Sequence, residues 1–309
     1  MQNTKLKITL LGTGTSCGVP VVGCNCPVCL SDDPKDKRLR TSAMVESETT
    51  RILIDCGPDF YHQMLRHFRG VSFKKQLNIQ GDLYNTESPH QLPHKGEGNA
   101  SQNEMTLSEF SPCGGVRGGL SKIDAVFISH IHYDHCGGID DLRPFCVFGD
   151  IKIYSNEMVI ENMHHTLPYL FAENKYPGIP QITASAYKNH DTITVGDIDV
   201  QVFTVNHGKL PISAFRIGNF AYITDMKTID DSELPYLEGL ETLVINALRY
   251  EPQHPTHLMV DEAMDFVRKI GAKKVYFTHM CHDIGLHEEV NRKLPEGFEL
   301  GYDGQEILL

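Results

Sequence analysis

Six consecutive residues, His130-Ile131-His132-Tyr133-Asp134-His135, bring together three imidazoles and a carboxylate. Nitrogen and oxygen donors of this kind suit zinc, manganese and iron. Neighbouring side chains point in different directions, so four donors in six residues do not converge on one ion. The spacing suits two ions side by side, with His130 and His132 on one and Asp134 and His135 on the other. The run Ala125-Val126-Phe127-Ile128-Ser129 before it is apolar and reads as a buried strand. Gly137-Gly138 after it stops any regular continuation. The donors therefore stand on a turn at a strand end.

The same arrangement recurs along the chain. Asp55 ends the apolar run Arg51–Ile54, His207 ends the alternating run 198–205, Asp225 follows Phe220–Thr224, and His279 follows Lys274–Thr278. One such coincidence says little. Five strand ends carrying a potential ligand describe a site assembled along one rim of a sheet scaffold. Asp55 is read as a carboxylate that hydrogen-bonds the His loop rather than as a ligand. His164 and His165 are adjacent, face different sides of a helix, and are read as ordinary helix residues. Cys24-Asn25-Cys26-Pro27-Val28-Cys29 supplies three thiols in six residues, most of a tetrahedral zinc site. Cys17, Cys281 and His282 are all candidates for its fourth ligand.

Composition narrows the function classes. The chain has 309 residues, 40% hydrophobic and 22% charged, enough for a substantial core. The nine cysteines are an odd number, mostly scattered, which favours metal binding and buried thiols over disulfides. A net charge of −12 argues against broad nucleic-acid binding, which needs Lys and Arg surfaces. It does not argue against a small anion, because a metal pair makes its own positive field. No apolar run approaches a membrane span. The run Lys5–Leu11 imitates a signal peptide only until Gly12-Thr13-Gly14-Thr15-Ser16 interrupts it, so a first strand and a cytoplasmic location are expected. That Gly/Thr turn lacks the Lys of a phosphate-binding loop.

Many short strands with helices between them predict a layered α/β sandwich in a single domain over 1–309. Residues 17–40 form its Cys-bearing loop. Residues 71–118, rich in Asn, Gln, Ser, Gly and Pro, read as an irregular insertion. Strands are expected at 5–12, at 40–45 with 51–55, at 151–154, as a hairpin over 192–205, at 213–217 with 220–224, at 242–246, at 274–278 and near 306–308. Helices are expected over 59–68, 138–145, 156–171 and 288–294. Another begins at His257 and closes at Gly271.

His130-x-His132-x-Asp134-His135 followed by His207, Asp225 and His279 resembles the metallo-β-lactamase superfamily. The resemblance implies an αββα fold of two mixed β-sheets flanked by helices. It also implies that Asp225 bridges two divalent ions, zinc or manganese. His130, His132 and His207 would hold one ion, and Asp134, His135 and His279 the other. Gly12–Ser16, Gly18-Val19-Pro20 and the Cys24, Cys26, Cys29 cluster are similar to the PhnP-type cyclic-phosphate phosphodiesterases, relatives of the RNase Z group. For these, a structural zinc held by the three cysteines and His282 is implied, and a general acid at His257. The insertion at 71–118 departs from that pattern.

The function expected is hydrolysis of a small phosphodiester, cyclic or open, by hydroxide generated at the metal pair, with His257 and Asp134 as candidate catalytic residues. Lys209, beside His207, is a candidate contact for substrate oxygens. The alternatives are an RNase Z-like tRNA endonuclease, a thioester or lactone hydrolase of the same fold, and a metal-binding protein without catalysis. A homodimer is an expectation from the resemblance alone.

Overall fold

The computed structural model describes residues 5–69, 122–175 and 178–309. The expected insertion at 71–118 lies outside the described residues. Among the described residues, fourteen strands fall into two seven-stranded sheets. The first contains β1 (Lys7–Gly12), β2 (Ser42–Glu46), β3 (Arg51–Ile54), β4 (Ala125–Phe127), β5 (Ile151–Asn156), β6 (Ile182–Tyr187) and β14 (Gln305–Leu308). The second contains β7 (Thr192–Val195), β8 (Ile198–His207), β9 (Leu210–Ile217), β10 (Phe220–Ile223), β11 (Thr242–Asn246), β12 (Lys274–Thr278) and β13 (Phe298–Leu300). Among the described residues the α-helices are α1 (Pro27–Leu30), α2 (Phe60–Arg69), α3 (Tyr133–Cys136), α4 (Glu157–Thr166), α5 (Val260–Ile270) and α6 (His287–Asn291).

The two sheets are built alike. In the first, β14, β1, β2 and β3 pair antiparallel, and β3, β4, β5 and β6 continue in parallel. In the second, β7, β8, β9 and β10 are antiparallel, and β10, β11, β12 and β13 are parallel. A parallel neighbour requires a crossover on the outer face. Loops at the carboxyl ends of the parallel strands β3, β4, β10, β11 and β12 therefore gather along one rim.

Side-chain alternation explains the layers. Ile52 and Ile54 of β3 point to the inter-sheet core, while Leu53 between them joins the core under the outer helices. Ala125 and Phe127 of β4 face inward, and Val126 faces out. In β8, Val200 and Val202 face inward, and Phe203 and Val205 pack outward with Val260, Ala263 and Val267 of α5. Strands covered on both faces have few polar positions, which is why β2, β10 and β11 are buried throughout.

The structure moves several expected boundaries. His257 does not begin a helix: α5 starts at Val260, with Glu262 reaching back to the Met259 amide at 2.9 Å. The end at Gly271 stands, in the left-handed conformation. The stretch expected as a helix over 138–145 is a 3₁₀ segment, Ile139–Phe148, and contains Pro144. The helix expected over 156–171 stops at Thr166, and Pro168 follows. Strands β6 and β13 were not expected. Ile182-Thr-Ala-Ser-Ala-Tyr187 is dominated by small residues, and β13 has three residues, so neither carries a periodic signal.

A buried polar knot fastens the chain's two ends beneath the rim. The Asp303 carboxylate accepts the amides of Thr13 (2.9 Å) and Leu39 (2.7 Å) and pairs with Arg66 (3.0 Å). Arg38 donates to Thr13 Oγ1 (3.0 Å) and to the Gly301 carbonyl (2.6 Å), and its other amino group lies 3.3 Å from His287 Nδ1. Burial first, and the Arg38 charge second, push the His287 imidazole from its ordinary 6.5 down to about 4. Between these values the unfolded chain binds a proton that the folded chain rejects, so this residue makes stability rise with pH across that window. Urea unfolding midpoints measured from pH 4 to pH 7 should show this rise, and His287→Gln should flatten it. An unaltered slope in the variant would contradict the account.

Candidate metal centre

The rim is built from turns that the strands impose. Asp55 and His279 directly follow β3 and β12, Asp225 follows β10 with one residue between, and all three adopt left-handed backbone, with φ of 59° for Asp55 and 56° for both Asp225 and His279. Non-glycine residues there carry a conformational cost that surrounding contacts must offset. The turn lets each side chain leave the sheet and point into the cleft. After β4, Asp134 and His135 sit in the single turn of α3. The loop at Asp55 and this turn are locked together. Cys56 N–H donates to the His135 carbonyl (2.8 Å), and Gly138 N–H to the Cys56 carbonyl (2.8 Å). A Cβ at Gly57 would stand 2.0 Å from the Asp134 carbonyl oxygen, so only glycine permits this approach.

One buried carboxylate orients the imidazoles. Asp55 accepts from the Ser129 amide (2.7 Å), the Ser129 hydroxyl (2.9 Å) and His135 Nδ1 (2.7 Å). Ser129 Oγ in turn lies 2.9 Å from His130 Nδ1. His207 Nδ1 donates to the carbonyls of Asp225 and Thr256, both at 2.9 Å. In His130, His135 and His207 the outer nitrogen is thus engaged, and Nε2 is left for the cleft, the arrangement by which ligating histidines are held. His130 Nε2 faces His132 Nδ1 at 3.0 Å.

Three donor groups result, each with its ligand atoms within 4.8 Å of one another: Asp134, His135 and His279; His130, His135 and Asp225; and His207, Asp225 and His257. The first is the set expected for one ion. For the other, His130 and His132 face each other, and the His132 and His207 rings lie 5.1 Å apart. His135 and Asp225 stand between the groups. His257 joins His207 with ring centroids 4.6 Å apart and stacks on His279 at 4.8 Å. Its Nδ1 is 3.5 Å from Asp225. His164 stays apart, against Phe171. Lys209 is exposed on the turn between β8 and β9.

The donor set fits divalent cations on an observation of the protein itself. Oxygens of Asp134 and Asp225 lie 3.2 and 3.1 Å from His135 Nε2, and Asp225 lies 3.0 Å from His279 Nε2. None is aligned as an acceptor, and both nitrogens are buried without a hydrogen-bond partner. Buried polar atoms are rarely left so. A cation among them would satisfy the nitrogens and carboxylates together.

The charges agree. Burial alone would raise the Asp225 carboxyl, but His279 and His135 hold it well below the usual carboxylate range. Burial would lower His135 and His279, but Asp225 reverses it for both, carrying His135 well above its ordinary value and His279 to about 9. In the free protein, protons on these imidazoles stand where a cation would. Burial and the neighbouring His135 keep His130 well below its ordinary value.

The cysteine cluster finds its fourth partner in His282. Its Nδ1 lies 3.3, 3.3 and 3.5 Å from the sulfurs of Cys24, Cys26 and Cys29. Bonds of zinc length make a tetrahedral sulfur–nitrogen edge of about 3.6 Å, so the four donors already have that shape. The Cys29 amide donates to Cys26 Sγ (3.4 Å) and lowers its thiol to about 6, and His282 adds to this. Burial pushes Cys29 up to about 11. This cluster is tied to the cleft: Met280, between His279 and His282, exchanges hydrogen bonds with Thr13 (2.9 Å) and Thr15 (3.0 Å).

Two site residues went unnoticed in the sequence. Ser129 carries the link from Asp55 to His130. Asn246, at the end of β11, bonds both the amide (2.8 Å) and the carbonyl (2.9 Å) of Met226 and so fixes the turn bearing Asp225. Each is a small polar residue directly after an apolar strand run, the only sign the sequence offers.

Residues 98–280 match the family model of the beta-lactamase superfamily domain. The structure superposes on a crystal structure of a new diphosphatase from the PhnP family with a TM-score of 0.76 and 32% sequence identity, covering 99% of this chain and 97% of that one. The chain belongs to the metallo-β-lactamase superfamily and, within it, to the PhnP type. Members of that family bind divalent metals. The chain is also 34% identical over 305 residues to an octanoyltransferase of Porphyromonas gingivalis, matching 98% of this chain and 52% of that protein. The chain thus spans about half the length of that relative. A probable metallo-hydrolase, YhfI of Bacillus subtilis, is 22% identical over 191 residues, 57% of this chain and 73% of its own. Among the described residues no helix is long and apolar enough to cross a membrane.

Two outcomes test the positioning. Ser129→Ala should weaken metal binding at the cleft by roughly 10- to 100-fold, the usual cost of losing a group that orients a ligand. Titration with a competing chelator measures it, and unchanged affinity would remove Ser129 from the account. Cys26→Ser should lose about one equivalent of metal and lower the unfolding temperature, because binding at such a knot stabilises the fold. Full metal content in the variant would contradict this.

Proposed function

We propose that the chain hydrolyses small phosphodiesters at the cleft formed by His130, His132, Asp134, His135, His207, Asp225 and His279. The observation that carries this reading is His257. It stands between His207 and His279, 3.5 Å from Asp225, as an imidazole beside the ligand set. An expelled alkoxide needs a proton, and a positioned imidazole can provide one. The likeness to a diphosphatase of the PhnP type supports phosphorus chemistry.

Two divalent ions, zinc or manganese, held by the seven residues would polarise the phosphoryl oxygens and lower the pKa of water toward neutrality. The chain's own groups do the rest. Asp134 and Asp225 stay ionised and set the spacing of the donors. Asp55, acting directly and through Ser129, keeps His135 and His130 from rotating. Burial, with His279 next in effect, pushes His257 down to about 2, so it is neutral in the free protein. A phosphodiester anion bound beside it would favour its protonated form. The attacking water gives up a proton to solvent and forms the new P–O bond as the ester P–O bond breaks, while the departing oxygen takes a proton from His257, which regains one from solvent. The cysteine knot with His282, which would hold one structural zinc, keeps the loop from His279 to His282 in place.

A thioester reading has its own support, the likeness to an octanoyltransferase. A thiolate leaves without protonation, so that chemistry makes no demand on His257. A tRNA endonuclease reading is disfavoured by the net charge of −12, because broad nucleic-acid binding draws on Lys and Arg surfaces.

Asp225→Ala should abolish metal binding at the cleft and hydrolysis of bis(p-nitrophenyl) phosphate together. Retention of both would end the proposal. His257→Ala should keep its metal and slow alkyl diesters by roughly 10²- to 10⁴-fold, while nitrophenyl diesters, whose leaving group departs unassisted, slow far less. Equal slowing would remove the acid role. Cleavage of acyl thioesters by the wild type, with diesters untouched, would favour the second reading.

A further inference from the structure

The Nδ1 atom of His257 is buried without a hydrogen-bond partner, 3.5 Å from Asp225. The ring is therefore placed by the backbone on either side of it. On one side that backbone is tied to the second sheet. The Leu258 amide donates to the Met226 carbonyl (2.8 Å), and the Leu258 carbonyl accepts the Leu248 amide (2.9 Å). On the other side is Thr256, in a stretch between β11 and α5 that has neither helix nor strand.

Thr256 is held by two histidines. Its carbonyl accepts His207 Nδ1–H at 2.9 Å. Its methyl group rests on the turn just after His207, where a Cβ at Gly208 would stand 2.8 Å from Thr256 Cγ2. Its amide and hydroxyl both turn to His254 Nδ1, at 3.4 and 3.3 Å. An amide can only donate, so Nδ1 is the acceptor and the proton of the neutral ring sits on Nε2. One lone pair serves both donors, and both distances are at the long end for hydrogen bonds. Burial, with the Arg249 charge next, keeps His254 below its ordinary value, so the acceptor stays free of a proton at neutral pH. A side chain that accepts the amide two residues on makes the bond of an Asx turn, supplied here by an imidazole. The His254 ring also packs on that of His257, with centroids 4.8 Å apart.

We infer that His254 is a positioning residue: by holding Thr256 through Nδ1, it sets where His257 meets the leaving group. The inference rests on the phosphodiesterase reading and adds to it the group that aims its acid. His207 Nδ1 also donates to the Asp225 carbonyl (2.9 Å), so His207 keeps a partner when Thr256 shifts. Loss of His254 therefore reaches the acid before it reaches the metal ligands.

The test uses variants that differ in where they offer an acceptor. Asn carries its side-chain oxygen about where Nδ1 of His lies and makes Asx turns readily. Gln carries its oxygen one carbon further out, and Ala has none. The substrates are ethylene phosphate, whose leaving oxygen is an alkoxide, and bis(p-nitrophenyl) phosphate, whose leaving group departs unassisted. In the metal-loaded full chain, His254→Ala and His254→Gln should lower kcat for ethylene phosphate by roughly tenfold to a hundredfold, the cost of misplacing a catalytic group by about 1 Å. The nitrophenyl ester should slow far less, and metal content should match the wild type. His254→Asn should restore the ethylene phosphate rate. Equal slowing of both esters in His254→Ala, the mark of a merely structural residue, would overturn the inference. So would a His254→Asn rate as low as that of His254→Ala, which would assign the imidazole itself, as a proton carrier or substrate contact. Amide hydrogen exchange followed by NMR reads the clamp without turnover. The Thr256 amide should exchange roughly twofold to tenfold faster in His254→Ala and His254→Gln than in the wild type and His254→Asn, the weight of one hydrogen bond. Unchanged exchange in His254→Ala would overturn the inference. If the wild type cleaves neither ester, the phosphodiester reading fails, and the exchange rates alone decide whether His254 holds Thr256.

Discussion

Everything at the rim depends on burying Asp225 between His135 and His279. Three ionisable groups share a dry space, and their nitrogens and oxygens approach to about hydrogen-bond distance without being aligned for hydrogen bonds. Charges taken out of water need close compensation. Protons on the two imidazoles provide it in the free protein, and divalent cations held by the same nitrogens and oxygens would provide it in their place. The rest of the fold brings this unfavourable grouping about and keeps it in place.

Two sheets with the same sequence of antiparallel and parallel neighbours do that work. Their parallel strands all end at one rim, and left-handed residues at Asp55, Asp225 and His279 turn the chain into the cleft. Behind the donors, Asp55, Ser129 and Asn246 hold the loops that carry them. The Cys24, Cys26, Cys29 and His282 knot fastens the loop of His279 from the other end, and Met280 binds that loop to the Gly/Thr turn after β1. Function and stability therefore draw on the same contacts, with the buried Asp303 and Arg38 beneath them.

Much of this was legible in the sequence, for physical reasons. Ligands at strand ends follow long apolar runs, so Asp55, His130, His207, Asp225 and His279 announced a common rim. His282 was one of three candidates on chemistry alone and was singled out by the resemblance. Other features left no trace. A left-handed aspartate looks like any aspartate in a sequence. Strands of small residues such as β6, or of three residues such as β13, lack a period to detect. The place of His257 before α5 rather than in it follows from the cap made by Glu262, and the Met at position 259 gave no sign of it. Ser129 and Asn246 needed three dimensions to show what they bind.

The central claim is that the grouped imidazoles and carboxylates exist to hold cations. Anomalous diffraction from crystals of the full chain grown with zinc or manganese tests it most directly. The account predicts two peaks in the cleft, with Asp225 shared between them, and a separate zinc peak amid the three cysteines and His282. A cleft without anomalous signal at saturating metal, with Asp225 still paired to protonated His135 and His279, would contradict it.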